Sequence, residues 1–358
     1  MLTEATVFLA SSMVLASHFS SYITGTARYW VRIVLYFATL FLVSLAAFPI
    51  CLVMTILGRR YDTNFMQAKV FYASMSFLLG WECEVEGAEY LNTNPAIYVA
   101  NHQSAVDILW IGRIMPLRCV VMAKKSIQWA PILGQWMTLA GTVFIDRGNS
   151  KKAMASLDKA TEDIKEKSLS LFMFPEGTRT SFETPNLLPF KKGAFNLAVK
   201  AGVPVVPIVC ENYWRLYRKG VFESGKLKIK VLPPIPTTGM TTADVGDLAN
   251  KTREIMLATL KEISVAVSDD VAAADNATLD KISAKRTPPS ALPKEALVSP
   301  PSPEETVTNK GSATPHDYLA SPGTPATGSA TLRAGAVSPT GSSATDEDWA
   351  TVEPPSTS

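Results

Sequence analysis

Two loops in this sequence carry side chains whose types and spacing could do chemistry. In Asn101-His102-Gln103-Ser104-Ala105-Val106-Asp107 an imidazole stands five residues before a carboxylate. On an ideal helix five residues turn through about 140°, so the two would not share a face. They meet only if His102 precedes a helix whose first turn holds Asp107. A pair so joined would be a base and its orienter. The carboxylate fixes the tautomer through one ring nitrogen, and the other nitrogen is left to take a proton. The same spacing also arises by chance. In Phe174-Pro175-Glu176-Gly177-Thr178-Arg179, Gly177 permits a tight turn and the Arg179 guanidinium suits bidentate recognition of phosphate. An ordinary ion pair between Glu176 and Arg179 on a surface loop is the other reading. Val143-Phe144-Ile145-Asp146-Arg147-Gly148-Asn149 is a third loop of this kind, and Lys124 and Lys125 could add positive charge near the same mouth or belong to a solvated loop. Val203-Pro204-Val205-Val206-Pro207-Ile208 has no reactive side chain and could only shape a wall.

These loops need a scaffold, and the surrounding pattern supplies one. Short apolar runs predict strands at 96–100, 118–123, 141–145, 169–174, 203–210 and 226–231. Helical spacing predicts helices at 105–114, 151–167, 193–200 and 244–263. Pro204 and Pro207 suggest that their strand is short or at an edge. The alternation argues for an α/β fold, a mostly parallel sheet covered by helices. In such sheets ligands gather at the loops that follow strands, which is where the candidate residues lie.

The chain ends differ from this middle. Ile33 to Leu57 is 25 residues without a formal charge, flanked by Arg28, Arg32, Arg59 and Arg60. A helix of that length reaches across a hydrocarbon core of about 30 Å, and Pro49 would kink it. A single span and a kinked helix that enters one leaflet and returns are both open, and a buried core helix is the third possibility. Residues 7–15 and 64–79 predict two further helices against the membrane or the domain. From Ser264 to Ser358 the chain holds 12 of the 24 prolines and two aromatics, with a charge of −6 that leaves +8 on the rest. Such a segment cannot bury enough apolar surface to order itself, so a disordered acidic tail is expected. It contains seven Ser-Pro or Thr-Pro pairs, candidates for proline-directed phosphorylation. The divisions expected are 1–60, N-terminal membrane-anchoring helices; 61–263, the α/β domain; and 264–358, the tail.

Composition narrows the function. Lys and Arg number 34 against 32 Asp and Glu, so a binder of nucleic acid by bulk charge is excluded. The cysteines are four (Cys51, Cys83, Cys119, Cys210) and far apart, which excludes a zinc ribbon or a dense disulfide framework and fits a reducing compartment. No G-x-S-x-G elbow and no G-x-x-x-x-G-K-[ST] loop occurs. The histidines number three, so histidine chemistry must choose among His18, His102 and His316. The first lies in the leader and the last in the tail.

Four blocks in order resemble the glycerolipid acyltransferase family, most nearly the 1-acylglycerol-3-phosphate acyltransferases. N-H-x-x-x-x-D is matched by Asn101, His102 and Asp107, F-I-D-R by Phe144 to Arg147, F-P-E-G-T-R by Phe174 to Arg179, and V-P-[IV]-x-P by Val203 to Pro207. The resemblance covers roughly Tyr61 to Ile263, and the apolar leader has the family's form. It implies transfer of a fatty acyl group from acyl-CoA, a co-substrate, to the free hydroxyl of lysophosphatidate in the membrane. It implies His102 as general base held by Asp107. Glu176, Gly177, Thr178 and Arg179 would hold the glycerol phosphate, with Lys124 and Arg147 adding charge. Backbone amides of the first loop would stabilise the oxyanion. It implies no metal, no bound cofactor, no acyl-enzyme and no nucleic-acid partner, and an endoplasmic reticulum membrane with the site facing the cytosol. Glycerol 3-phosphate or another lysophospholipid as acceptor, and a non-catalytic membrane adaptor, are the alternatives.

Overall fold

The computed structural model describes residues 2–146 and 148–266, together with Asp275 and Thr278. Arg147, the rest of the tail and all seven of its proline-directed sites lie outside the described residues.

Three helices open the chain: α1 (Leu2–Tyr22), α2 (Gly25–Ile56) and α3 (Asp62–Leu79). Then come β1 (Trp81–Glu86), β2 (Ile97–Ala100), α4 (Asp107–Ile114), β3 (Cys119–Lys124), α5 (Leu133–Leu139) and β4 (Val143–Ile145). They are followed by α6 (Ser150–Lys167), β5 (Ser170–Met173), α7 (Gly193–Ala201) and β6 (Val205–Cys210). A short hairpin of β7 (Tyr217–Arg218) and β8 (Val221–Phe222) leads to β9 (Gly225–Val231) and α8 (Val245–Ile263).

Seven strands make one sheet in the order β1-β9-β6-β2-β5-β3-β4. Every pairing is parallel except β6 with β9, so the sheet is mostly parallel, as the sequence predicts. The central strands β2, β5 and β6 are buried throughout, as strands with both faces covered must be. Alternate residues of β2 go to opposite sides. Tyr98 and Ala100 join a core with Phe71, Trp110 and Phe172, while Ile97 and Val99 join one with Leu171, Phe195 and Met256.

The prolines of β6 mislead the sequence reading. This strand is not at an edge but lies between β9 and β2. The Pro207 carbonyl accepts from Leu232 N–H at 2.8 Å, on the side where β9 has just ended. The ladder to β9 begins one residue later, at Ile208 opposite Val231. The N–H that proline lacks would therefore point where no strand partner waits. The edge strand β1 alternates Trp81 and Cys83 inward with Glu82, Glu84 and Glu86 outward, in register with Lys226, Lys228 and Lys230 of β9.

Helix α2 is long and apolar enough to cross a membrane and runs through Pro49 without interruption. Yet one face of it is fastened along the domain. Arg28 pairs with Glu223. Arg32 donates to the Phe222 carbonyl and to Ser224 Oγ, each at 3.0 Å. The Tyr36 hydroxyl donates to the Ala105 carbonyl at 3.0 Å, Gln67 donates to Ser44 at 3.1 Å, and Cys51 packs with Trp136 and Met137. The opposite face presents an exposed stripe of Phe37, Phe41, Leu45, Phe48 and Leu52. Helix α3 crosses α4 closely at Gly112, where an added Cβ would stand 2.4 Å from the Ala68 carbonyl oxygen.

Because β2, β3, β4, β5 and β6 all run the same way, their C-terminal ends share one edge of the sheet. The loops after β2, β4 and β5 rise from that edge, and so does Lys124. The Val203–Pro207 block instead opens β6 at the opposite edge and is core rather than a wall of the site.

Candidate active site

His102 and Asp107 meet as the spacing requires. His102 lies in the loop after β2, and Asp107 is the first residue of α4, where an acidic side chain suits the helix N-terminus. Nδ1 of His102 stands 2.6 Å from Oδ2 of Asp107. The imidazole is 17% exposed and the carboxylate 1%. With Nδ1–H donating to Asp107, Nε2 is left as the acceptor. Phe174 stacks on the imidazole at 3.9 Å between centroids and 11° between planes.

The carboxylate accepts from every side. Oδ2 also takes Gln103 N–H at 2.9 Å and Ser104 N–H at 3.1 Å. Oδ1 takes Trp110 Nε1–H at 3.0 Å and the Tyr213 hydroxyl. Burial and the Asp107 carboxylate push the Tyr213 phenol well above its ordinary value, so it stays protonated and serves as the donor.

The loop itself is sewn to both neighbouring strands. Asn101 exchanges two hydrogen bonds with the Cys210 backbone, at 2.8 and 2.9 Å. Gln103 donates to the Glu211 carbonyl at 2.9 Å and accepts Tyr213 N–H at 3.2 Å. On the other side, Thr180 N–H and Oγ1 reach the His102 carbonyl at 2.9 and 3.0 Å.

Glu176, which the resemblance assigns to the glycerol phosphate, faces inward. Its side chain is wholly buried. Oε1 accepts His102 N–H at 2.9 Å, and Oε2 accepts Leu188 N–H at 2.9 Å. A carboxylate so enclosed holds the His102 loop, and it bears the same sign as a phosphate. The amides expected to cradle an oxyanion are also engaged, since those of His102, Gln103 and Ser104 donate to Glu176 and Asp107.

Arg179 lies two residues beyond Gly177, whose φ of +70° makes the turn. It is exposed and makes no ion pair among the described residues. Its charge is felt by Tyr217, whose phenol burial pushes up to about 12. Thr178 is half-buried on the same turn, and Lys124 is half-buried at the end of β3. Two strand spacings, about 10 Å, separate β3 from β2, so Lys124 stands across the mouth from His102. Lys191, outside the four blocks, lies over the same turn. Its Nζ is 2.8 Å from where a Gly177 Cβ would be, and its N–H donates to the Pro175 carbonyl at 2.8 Å.

Fold and site together have the form of an enzyme that uses an oriented imidazole as a base, with an exposed guanidinium on the same edge of an α/β sheet. Comparison with known proteins gives the family. A family model described as Acyltransferase matches residues 82–211. The 1-acyl-sn-glycerol-3-phosphate acyltransferase of Saccharomyces cerevisiae is 42% identical over 219 residues, 60% of this chain and 72% of that one. The alpha form from Homo sapiens is 36% identical over 242 residues, 67% of this chain and 83% of that one. The chain belongs to this acyltransferase family. The crystal structure of the 1-acyl-sn-glycerophosphate (LPA) acyltransferase PlsC from Thermotoga maritima shares the fold, with a TM-score of 0.54 and 23% identity over 73% of this chain and 99% of that one.

Proposed function

We propose that the chain transfers a fatty acyl group from acyl-CoA to the free sn-2 hydroxyl of 1-acyl-sn-glycerol 3-phosphate, giving phosphatidate. The observation that carries this is the His102–Asp107 pair, with Nε2 of a partly exposed imidazole left to accept a proton. Nε2 takes the proton of the hydroxyl as its oxygen attacks the thioester carbonyl. The tetrahedral intermediate collapses with cleavage of the carbon–sulfur bond. The imidazolium returns its proton to the departing CoA thiolate. The phosphate lies against Arg179, with Lys124 and Lys191 adding to the positive field and Gly177 and Thr178 forming the turn beneath it; Arg147, outside the described residues, keeps the charged role that the sequence resemblance gives it. Glu176 acts through the loop that it holds.

The acceptor assignment is tested with purified enzyme and a panel of lysophosphatidate, glycerol 3-phosphate and lysophospholipids with larger head groups. Turnover should be fastest with lysophosphatidate, and none with that acceptor would remove the assignment. Arg179→Ala is expected to raise the acceptor Michaelis constant by about 10–100-fold, the worth of one charge-assisted hydrogen-bonded pair, with little change in Tm. An unaltered Michaelis constant would take Arg179 out of the phosphate site.

The exposed stripe on α2, opposite a face bound to the domain along its length, supports helices lying in one leaflet beside the domain over a span that lifts it clear of the bilayer. An endoplasmic reticulum membrane with the site toward the cytosol fits a co-substrate that does not cross bilayers. Sealed microsomes should therefore turn over added acyl-CoA without detergent. Activity that emerges only after detergent would place the site in the lumen.

A further inference from the structure

The imidazole is oriented only as firmly as the Asp107 carboxylate 2.6 Å from it. The five donors on Asp107 bear on this. Four are local to the loop and to α4: His102 Nδ1, the N–H groups of Gln103 and Ser104, and Trp110 Nε1. The fifth comes from beyond β6 and lies outside all four sequence blocks.

We propose that Tyr213 is a positioning residue for the dyad, whose hydroxyl, donated to Oδ1 of Asp107, holds the carboxylate with Oδ2 toward Nδ1 of His102 and draws part of its charge away from the imidazole. This rests on reading His102 as the general base. The hydroxyl is placed with care. Ser104 Oγ lies 2.7 Å from it and itself accepts Val106 N–H at 3.1 Å. The Tyr213 ring meets Trp81 edge to face, with centroids 5.7 Å apart, and its backbone N–H is held by Gln103. The other ionisable groups around the pair are Tyr36 from α2, Cys210 from β6, Tyr217 from the hairpin, and Glu176 and Arg179 from the loop after β5. None of these donates to the carboxylate among the described residues.

The test is the pH dependence of kcat/KM for the full chain carrying Tyr213→Phe, measured beside His102→Ala. With one donor gone and four still holding the carboxylate in place, more of its charge falls on the ring. The acidic limb should move upward, so activity falls severalfold more near pH 6.5 than near pH 8.5. A limb that stays or moves downward overturns the role of Tyr213. Full activity in His102→Ala removes the base itself, whatever Tyr213→Phe does, so the two failures are distinguishable. If Tyr213→Phe does not fold, Ser104→Ala keeps the ring and the Ser104 N–H but takes away the hydroxyl beside the phenol. It should move the limb the same way by a smaller amount, and no movement there overturns the proposal equally.

Discussion

Replacing His102 with alanine is expected to lower acyl transfer by about 10²–10⁴-fold, the span that a positioned general base contributes. The fold should survive. The ring is already partly exposed, and its main packing partner is Phe174, so stability falls by about 1 kcal/mol. The loop keeps its backbone bonds to Glu176 and Thr180. The measurement is incorporation of labelled acyl groups into lysophosphatidate by the purified variant, with thermal unfolding alongside. A rate equal to the parent's would reject His102 as the base. Asp107→Asn should fall steeply too. An amide in place of the carboxylate sets an N–H or a weaker acceptor against five donors, and the imidazole loses the group that fixes its tautomer.

Glu176→Ala should strike stability and turnover together. The buried carboxylate satisfies two buried backbone donors, those of His102 and Leu188. Leaving such donors unpaired costs about 1–3 kcal/mol each, so a loss of about 2–5 kcal/mol in chemical denaturation is expected. The N–H freed is that of His102 itself, so kcat should drop while the acceptor Michaelis constant changes little. A phosphate contact would show the opposite split. A raised Michaelis constant with unchanged stability would return Glu176 to the substrate site and remove it from the scaffold.

Much of this site was legible before any coordinates. The strand read at 96–100 and the helix read at 105–114 follow from local apolar patterns and stand at Ile97–Ala100 and Asp107–Ile114, and the five-residue spacing then requires one specific meeting of His102 with Asp107. Other assignments went astray for definable reasons. Pro207 reads as an edge residue because local rules do not know where the neighbouring strand stops. The sequence reading contains no strand at Trp81–Glu86, where alternation sets three glutamates in register with three lysines of β9. Within the stretch expected to be a disordered tail, Ser264 Oγ accepts Asn212 N–H at 2.9 Å, and Asp275 accepts from Thr184 N–H and Oγ1, each at 2.7 Å.

The amino-acid sequence by itself determined which residues could act, which short runs become strands, and that the reactive loops follow strands. These properties are local, set by periodicity and by side-chain chemistry within a few residues. Only the tertiary structure decided that Glu176 clamps the His102 loop, that Phe174 lies on the imidazole, and that Tyr213 reaches Asp107. Each of those contacts joins residues far apart in the chain, through the side-by-side order β6-β2-β5. That order is fixed by how whole faces pack against the helices, and no short stretch of sequence contains it.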